Sequence, residues 1–461
     1  MFRLPSLDDL RRLASLAVPI TLVQVSLMAL GVEDCMIVGR YSAVGLAGVA
    51  IGAIYFFTII SFGFGMIFGI EPLVSQAFGA RDEPAIVRAF QRGLVIIFVL
   101  GTLSALSLVP AEFVLSHLAQ PRAITQIAGP YLQVQASSTY AMLLFSLMRT
   151  TLQARGITRP ILITILGANV INIVLSIVLV FGYWGFPRMG PVGSGIASAI
   201  ARWFMAAMLL ALAWRPMRPL FVWRPDSLSP VPLWHMVRIG LPVGAQITLE
   251  FGVWALVALI MGSLGPTAAA ANQIVLNIAS FTFMVPLGIG TAGSVLVGQA
   301  IGAGDPASAR RFASAAFVTG VGFMACCGLA FILVPALFAH AYTNDAATIA
   351  LAATLIPIAG VFEVFDGTQV VAIGLLRGTG DTRTPMIVNL IGYWFVGLPL
   401  SLWLGRGLGF GPRGLWWGLV SGLVVVATIL VIRLRARMAR VPERLRLEGE
   451  ATPGARLEEL C

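Results

Sequence analysis

The sequence predicts an all-α polytopic membrane protein whose twelve transmembrane helices form two six-helix bundles, related by a pseudo-twofold axis along the membrane normal. Three observations predict this fold class: the hydropathy, the distribution of arginines and an internal repeat. Of the 461 residues, 58% are hydrophobic and 11% are charged, far outside the range of soluble domains. The spans are expected to be helical, because a helix satisfies its own backbone hydrogen bonds in lipid.

Twelve apolar runs follow one another along the chain, each long enough to cross a hydrocarbon core about 30 Å thick. They cover residues 13–38, 44–77, 93–113, 129–148, 160–183, 191–213, 236–262, 268–299, 313–338, 349–376, 384–404 and 414–432. The second run is long, since a straight helix of that length would reach roughly 51 Å. We therefore expect it to tilt, to bend at its glycines or to project beyond the bilayer.

The arginines predict the orientation of the spans. All 30 basic residues are arginine. If the N-terminus is cytoplasmic, 24 of them lie on the cytoplasmic side, five lie in outer loops and Arg202 lies within a span. This imbalance fits the positive-inside rule. It predicts a multi-pass protein of the bacterial cytoplasmic (inner) membrane with both termini cytoplasmic. The net charge of +10 is then a topology signal, so the lipid bilayer is an expected partner and nucleic acid is not.

An internal repeat divides the chain into two halves. The stretch "LVSQAFGARD" at 73–82 nearly recurs as "LVGQAIGAGD" at 296–305, a shift of 223 residues that also pairs Pro19 with Pro242. Because each half holds six spans, both enter the membrane from the same side, as parallel copies with a cleft between them. The predicted units are an N-terminal bundle (1–213), a cytoplasmic linker (214–235), a C-terminal bundle (236–432) and a cytoplasmic tail (433–461).

Carboxylates in the middle of spans are the candidate functional groups, because each costs on the order of 3 kcal/mol to insert. The helix rise places Glu250 about 18 Å from Gly262 and Asp366 about 16 Å from Arg377, so both acids lie near the midplane. Glu363 shares a helix face with Asp366, and two charges so close would repel each other. One proton or one metal cation relieves that repulsion, so this pair is a natural site for H⁺ or Na⁺.

These acids break the internal repeat. A shift of 223 residues pairs Glu250 with Leu27 and Asp34 with Val257. A purely architectural role would more naturally be shared by both copies, so the asymmetry favours a functional one. Trp254, one turn after Glu250, either presents its ring to an organic cation or simply packs.

Three long stretches carry a resemblance to a known family. They are "EDCMIVGRYSAVGLAGVAIG" at 33–52, "ANQIVLNIASFTFMVPLGIGTAGSVLVGQAIGAGD" at 271–305 and "FEVFDGTQVVAIGLLRGTGDTRTPMIVNLIGYWFVGLPL" at 362–400. With them, the chain resembles the multidrug and toxic compound extrusion (MATE) transporters, and most closely their NorM-type branch. The resemblance implies a secondary active multidrug efflux antiporter that works by alternating access and exports cationic lipophilic compounds in exchange for Na⁺ or H⁺.

The resemblance also assigns residues. The acids of the family's first, seventh and tenth helices fall on Asp34, Glu250 and Asp366, and an asparagine of the fifth helix falls on Asn172. Ser176 stands where relatives often carry a second asparagine. Glu363 stands where glutamine is expected, and it is either a second ion ligand or a residue turned toward a neighbouring helix. The predicted cation-coupling residues are Glu250, Asp366 and Glu363, with Na⁺ at Glu250 and Asp366 as one alternative. The predicted residues of the substrate and N-lobe cavity are Asp34, Asn172, Ser176, Trp254, Gln273 and Asn277.

Other classes of protein are less consistent with the sequence. An enzyme is disfavoured because no convincing nucleophile and base or metal cluster is present. A flippase for lipid-linked saccharides of a related two-bundle fold is the alternative. Such a flippase would be expected to carry several cavity arginines for phosphate, whereas Arg202 is the only arginine well inside a predicted span. We expect a monomer without a cofactor, with small organic cations as partners and either Na⁺ or H⁺ as the coupling ion.

Overall fold

The computed structural model describes residues 5–117, 121–445 and 447. Most of the predicted tail (433–461) therefore lies outside the described residues. The helices of the first half are α1 (Leu7–Tyr41), α2 (Ala43–Phe68), α3 (Glu71–Gly79), α4 (Glu83–Leu108), α5 (Ala111–His117), α6 (Arg122–Gln135), α7 (Ser138–Ala154), α8 (Arg159–Phe181) and α9 (Pro191–Leu212).

A short connection follows, made of α10 (Trp214–Met217) and the 3₁₀ turns Arg218–Phe221 and Pro225–Leu228. The second half contains α11 (Pro230–Ser263), α12 (Pro266–Gly302), α13 (Pro306–Leu333), α14 (Pro335–His340), α15 (Ala346–Gly378), α16 (Arg383–Asn389), α17 (Leu398–Leu402) and α18 (Gly411–Ala439). Helix α11 begins before residue 236, so part of the predicted linker is helical. The division into domains otherwise stays a prediction.

Twelve crossings form the all-helical, two-bundle fold that the sequence predicts. In the described part of the chain, 11 helical segments are long and apolar enough to cross a membrane. The remaining predicted span, 129–148, is divided between α6 and α7, and each piece is too short to qualify alone. The hydroxyl of Ser138 donates to the Gln135 carbonyl (2.7 Å) and that of Thr139 to the Ala136 carbonyl (2.8 Å). These bonds satisfy carbonyls at the break between the two helices.

The overlong second span bends at a glycine, which is one of the outcomes expected from its length. Helix α2 ends at Phe68, Gly69 and Ile70 form a turn, and α3 begins at Glu71. Pro72 stands in the first turn of α3, where its missing N–H and fixed φ suit a helix start.

The eleventh crossing departs from regular α-helix. Two π-helical stretches, Leu390–Gly397 and Trp403–Gly407, interrupt it on either side of α17. Such π segments are rare and often occur at functional sites. Here the first stretch directly follows Asn389 and contains Tyr393. Both residues belong to the site described below.

The repeated motifs of the two halves meet each other. A Cβ atom added at Gly79 would overlap the carbonyl oxygen of Gln299, and one added at Gly302 would overlap the carbonyl oxygen of Gln76. Both pairs are related by the same shift of 223 residues, so the contact is reciprocal about the pseudo-twofold axis. Only glycine allows the two backbones to approach so closely.

Two reciprocal hydrogen bonds reinforce this contact. The side-chain amide of Gln76 donates to the carbonyl of Gly378 (3.0 Å), and that of Gln299 donates to the carbonyl of Ala154 (2.9 Å). Gly378 and Ala154 are the last residues of α15 and α7, where carbonyls lack a partner within the helix. We call this contact, comprising α3, the end of α12, Ala154 and Gly378, the seam.

The linker and the described part of the tail lie at the same end of the molecule as the seam, which we call the linker end. The side chain of Gln91 in α4 donates to the linker carbonyls of Leu220 (3.1 Å) and Val222 (2.7 Å). From the tail, Arg444 forms an ion pair with Asp82 (2.7 Å). The backbone of Leu445 donates to Oε1 of Gln76 (2.7 Å), so the tail reaches across to the first half.

Candidate functional site

A central cavity of about 610 Å³ lies between the two halves, on the side of the seam away from the linker end. Aromatic side chains of both halves form much of its wall, including Phe56 and Phe64 from α2 and Phe251 and Phe283 from α11 and α12. Carboxylates and arginines interrupt this apolar surface at a few positions. The cavity therefore combines a large apolar surface with a small number of charged groups, as ligand sites commonly do.

In the second half, Glu250 is held by amide donors from three helices. Oε1 of Glu250 accepts hydrogen bonds from Gln246 (3.4 Å), from Gln369 (3.1 Å) and from Asn389. All three bonds go to the same oxygen, which leaves Oε2 for a proton or a cation. Oδ1 of Asn389 is buried and has no hydrogen-bond partner among the described residues, so a further oxygen ligand is available beside Glu250.

Asp366 faces the same cavity as Glu250. It is only 9% exposed, and none of the described residues donates a hydrogen bond to its carboxylate. Its neighbours on the wall include Gln369 and Tyr393, and the Tyr393 hydroxyl donates to Oε1 of Gln369 (3.1 Å). That bond fixes the amide of Gln369 with its nitrogen toward Glu250. An unpartnered buried carboxylate is costly unless a proton or a cation neutralises it.

Glu363 is turned away from the cavity. It is fully buried, and its Oε2 accepts a hydrogen bond from the hydroxyl of Thr282 on α12 (2.7 Å). Its Oε1 has no hydrogen-bond partner among the described residues. Glu363 and Asp366 thus share a helix, but only Asp366 lines the cavity.

In the first half, Asp34 is held by three donors. Its Oδ1 accepts from Asn172 (3.1 Å) and Ser176 (3.3 Å), and its Oδ2 accepts from the hydroxyl of Ser198. Asn172 and Ser176 lie one turn apart on α8 and so share a face. The structure therefore brings the predicted residues Asp34, Asn172 and Ser176 together, with Ser198 as a fourth member.

The part of the cavity next to the seam carries two arginines, Arg149 and Arg377, that we expected at span ends. The ring of Phe68 lies between two guanidinium groups, 5.6 Å from that of Arg149 and 5.5 Å from that of Arg377. Arg377 also forms an ion pair with Glu71 (3.6 Å), which links α15 of the second half to α3 of the first. Arg149 donates to Gln24 (3.1 Å). We call Glu71, Phe68, Arg149 and Arg377 the floor cluster.

The other predicted residues lie in two different environments. Trp254 lines the cavity and also packs edge-on against Phe362 (5.5 Å between ring centroids), so both roles considered for it are compatible. Gln273 and Asn277 are hydrogen-bonded to each other (3.3 Å). They do not belong to the cavity wall, since Gln273 is exposed and neither side chain is part of its lining.

Comparison with known proteins identifies the family. The sequence profile of the MatE family matches the chain twice, over residues 19–178 and 242–403. The chain belongs to the MatE family. The starts of the two matches are 223 residues apart, so each half of this MATE protein is one copy of the family's unit, in agreement with the internal repeat.

Relatives and solved structures extend this result over nearly the whole chain. The protein is 37% identical to the Multidrug resistance protein NorM of Burkholderia vietnamiensis, over 92% of this chain and 93% of that protein. It is 35% identical to the Probable multidrug resistance protein NorM of Rhizobium meliloti (strain 1021), over 93% and 94%. The crystal structure of the eukaryotic MATE transporter AtDTX14 superimposes with a TM-score of 0.83 at 23% identity, covering 95% of this chain and 99% of that one. The protein is thus a multi-pass membrane transporter of the MATE family and not an enzyme.

The cavity holds more arginines than the sequence predicted, which weakens one reason for disfavouring a flippase. Arg202 is not the only arginine inside the protein, because Arg149 and Arg377 also line the cavity of this MATE transporter. Both were expected at span ends, but α7 continues to Ala154 and α15 to Gly378. A longer helix could have been suspected at Arg149, since the polar residues that follow it include good helix formers.

Proposed function

We propose that this MATE transporter is a secondary active multidrug efflux antiporter that exports cationic lipophilic compounds in exchange for H⁺ or Na⁺. The observation that carries the proposal is that Glu250, Asp366 and Asp34 line one aromatic-walled cavity between the two halves. Aromatic faces and carboxylates together attract a lipophilic cation. The names of the NorM relatives support drug efflux as the activity.

Coupling is assigned to Glu250 and Asp366. Three donors on Oε1 of Glu250 fix that carboxylate without satisfying its Oε2, and Asp366 accepts no hydrogen bond from the described residues. A proton on either acid, or a Na⁺ held by their oxygens and Oδ1 of Asn389, would neutralise the pair. Oxygen ligands of this kind suit hard cations. Glu363, which bonds Thr282, then supports the helix that carries Asp366.

Transport is proposed to proceed by alternating access across the cytoplasmic (inner) membrane. With both termini cytoplasmic, the linker end faces the cytoplasm, and the seam closes that end while the cavity lies beyond it. The coupling ion and the drug must favour different arrangements of the two halves, because a ligand shifts a conformational equilibrium only by its differential affinity. The protein is proposed to act as a monomer and to need no cofactor.

The flippase alternative rests on the three cavity arginines, but each is already engaged by protein groups. Arg202 donates to Gln135 (2.5 Å) and Ser138 (3.0 Å), and Arg377 is paired with Glu71. Guanidinium groups that are held in this way are less available to a phosphate. Efflux of cations is therefore the better-supported function.

The proposal is tested by measuring the efflux of a fluorescent lipophilic cation from cells that produce the protein. Asp366→Asn removes the charge of an unpartnered cavity carboxylate, so gradient-driven efflux should fall by at least tenfold. Asp8→Asn is the matched control, because the side chain of Asp8 is 94% exposed and lies far from the cavity. Undiminished efflux by the Asp366 variant at equal membrane abundance would contradict the assignment.

A further inference from the structure

A second cavity lies at the linker end of the second half, separate from the central cavity. Its volume is about 440 Å³, and it is lined by the start of α11, the turn between α15 and α16, the end of α18 and Leu447 of the tail. Its ionisable lining residues are His235, Arg238, Asp381, Arg383, Arg433 and Arg437. Four arginines and one carboxylate thus converge on one small space, which we call the basic pocket.

The single carboxylate of the basic pocket is already satisfied. Oδ2 of Asp381 accepts a hydrogen bond from Nε of Arg433 (2.7 Å), and its Oδ1 accepts from the backbone of Thr384 (3.3 Å). The ion pair orients Arg433 and uses only its Nε atom. Asp381 therefore neutralises one arginine of the pocket at most.

The other three arginines keep a net positive charge in the pocket. Among the described residues, no acid lies within 4.0 Å of the guanidinium groups of Arg238, Arg383 or Arg437. Nε of Arg437 is moreover buried without a hydrogen-bond partner in that part of the chain. Arg437 follows Arg433 by one turn of α18, so both project from the same face. Like charges held close together in a concave site favour an anionic ligand.

The position of the basic pocket near the membrane surface favours a lipid headgroup as the anionic ligand. The pocket lies at the ends of membrane-spanning helices, and Trp234 beside it is 63% exposed, as expected for a tryptophan at the level of lipid headgroups. Arginine matches phosphate oxygens with two parallel hydrogen bonds. Basic pockets between transmembrane helices on the cytoplasmic side bind anionic lipid headgroups in general.

We propose that the basic pocket binds the phosphate group of an anionic phospholipid headgroup, with Arg238, Arg383 and Arg437 as its ligands and Arg433 oriented by Asp381. This site is independent of the central cavity and of the ion that drives transport. It lies next to the seam, because Gly380 in its wall contacts the side chain of Leu445, whose backbone bonds Gln76.

The test uses the full-length protein in a neutral detergent, titrated with phosphatidylglycerol while bound lipids are counted by native mass spectrometry. The triple variant Arg238→Gln, Arg383→Gln, Arg437→Gln should bind the lipid on the order of a hundredfold more weakly, since each arginine near a headgroup contributes about fivefold. Arg437→Gln alone should show about one fivefold step. Arg440→Gln is the matched control, because it removes the same charge just past the end of α18 without touching the pocket.

Two further measurements distinguish a lipid phosphate from a soluble phosphate. Phosphatidylcholine should bind equally to the wild type and the triple variant, since it carries no net charge. Inorganic phosphate should fail to displace phosphatidylglycerol. Displacement would show that the pocket binds a soluble phosphate and would overturn the proposal of a lipid ligand. Equal phosphatidylglycerol binding by the wild type and the folded triple variant would overturn the site itself. Weaker binding at higher ionic strength supports it, because salt screens exposed charges.

Discussion

Gln76 and Gln299 occupy equivalent positions in the two halves, and each donates a hydrogen bond to the last carbonyl of a helix in the opposite half. The acceptors are Gly378 and Ala154, at 3.0 Å and 2.9 Å. Each bond satisfies a carbonyl that its own helix leaves unpaired. Since both bonds cross between the halves at the linker end, they can exist only while that end is closed.

Replacing either glutamine should therefore favour opening of the linker end. A neutral hydrogen bond contributes about 1 kcal/mol, so Gln76→Ala or Gln299→Ala should shift the closed-to-open ratio about fivefold, and the double variant further. The measurement is the distance between spin labels at Ala80 and Ala303, equivalent positions just past α3 and α12, in a cysteine-free background.

Gln133→Ala is the matched control for this experiment. Gln133 donates to the carbonyl of Val109 (3.1 Å), which is a bond within one half and far from the seam. Its loss should leave the label distances unchanged. Identical distance distributions for the wild type and the Gln76/Gln299 double variant would show that the seam does not hold the closed state.

The ion pair of Glu71 and Arg377 should matter for stability more than its long distance of 3.6 Å suggests. Glu71→Gln leaves Arg377 buried without its counter-charge, and breaking such a pair costs about 3–5 kcal/mol. Adding Arg377→Met should recover part of the loss, because the uncompensated charge is then gone. Thermal unfolding of Glu71→Gln, Arg377→Met and the double variant measures the coupling between the two side chains. Strictly additive losses of stability would show that the ion pair does not couple them.

The hydroxyl groups that donate to Asp34 should contribute more to stability than other buried hydroxyls of the same half. Ser198→Ala removes one donor from a buried carboxylate and should lower stability by about 1–3 kcal/mol. The control is Thr164→Val on α8, whose Oγ1 is buried without a hydrogen-bond partner among the described residues. That variant should be nearly neutral in the same unfolding measurement, and a comparable loss in both would argue against the network.

The ion pair between Asp82 and Arg444 should make the stability of the protein depend on pH only in the acidic range. Burial acts to raise the pKa of Asp82, but the hydrogen bond from Arg444, the backbone N–H of Ala85 and the charges of Arg444 and Arg88 together lower it below its ordinary value. A lowered pKa contributes stability that is fully present above the ordinary pKa and is lost as the pH falls through the folded-state value.

The difference in melting temperature between the wild type and Arg444→Gln should therefore be constant from about pH 5 to pH 8 and shrink below about pH 4. Thermal unfolding across this range is the measurement. A difference that changes between neutral and mildly acidic pH would show that another group controls the contact of the tail with the first half.

Much of the fold follows from features that the sequence states directly. The apolar runs predict the crossings, and the repeat predicts the parallel halves. The length of the second run predicts a tilt, a bend at a glycine or a projection beyond the bilayer, and the structure shows a bend at Gly69. The depths of Glu250 and Asp366 are likewise visible, because helix rise is fixed, whereas Asn172 and Ser176 were assigned by the resemblance to the family. The structure brings Glu250 and Asp366 to one cavity, while Asn172 and Ser176 hold Asp34 without lining that cavity.

The parts that the sequence did not predict depend on contacts between distant segments. Arg149 and Arg377 look like ordinary residues at span ends, and only the folded chain places both against Phe68. Asn389 reaches Glu250 from the start of an irregular, π-helical crossing, which hydropathy cannot distinguish from a regular helix. For Glu363, a side chain turned toward a neighbouring helix was one of two alternatives, and only the packing of α15 against α12 shows that its partner is Thr282.

Asp366 and Glu250 should couple an inward cation gradient to export, and transport in proteoliposomes measures this coupling. Purified wild-type protein and the Asp366→Asn and Glu250→Gln variants are compared, with a pH gradient and a Na⁺ gradient imposed in turn and a fluorescent cation as substrate. One of the gradients should drive uptake by the wild type, and both variants should lose this response by at least tenfold. Wild-type rates of gradient-driven transport in either variant would contradict it.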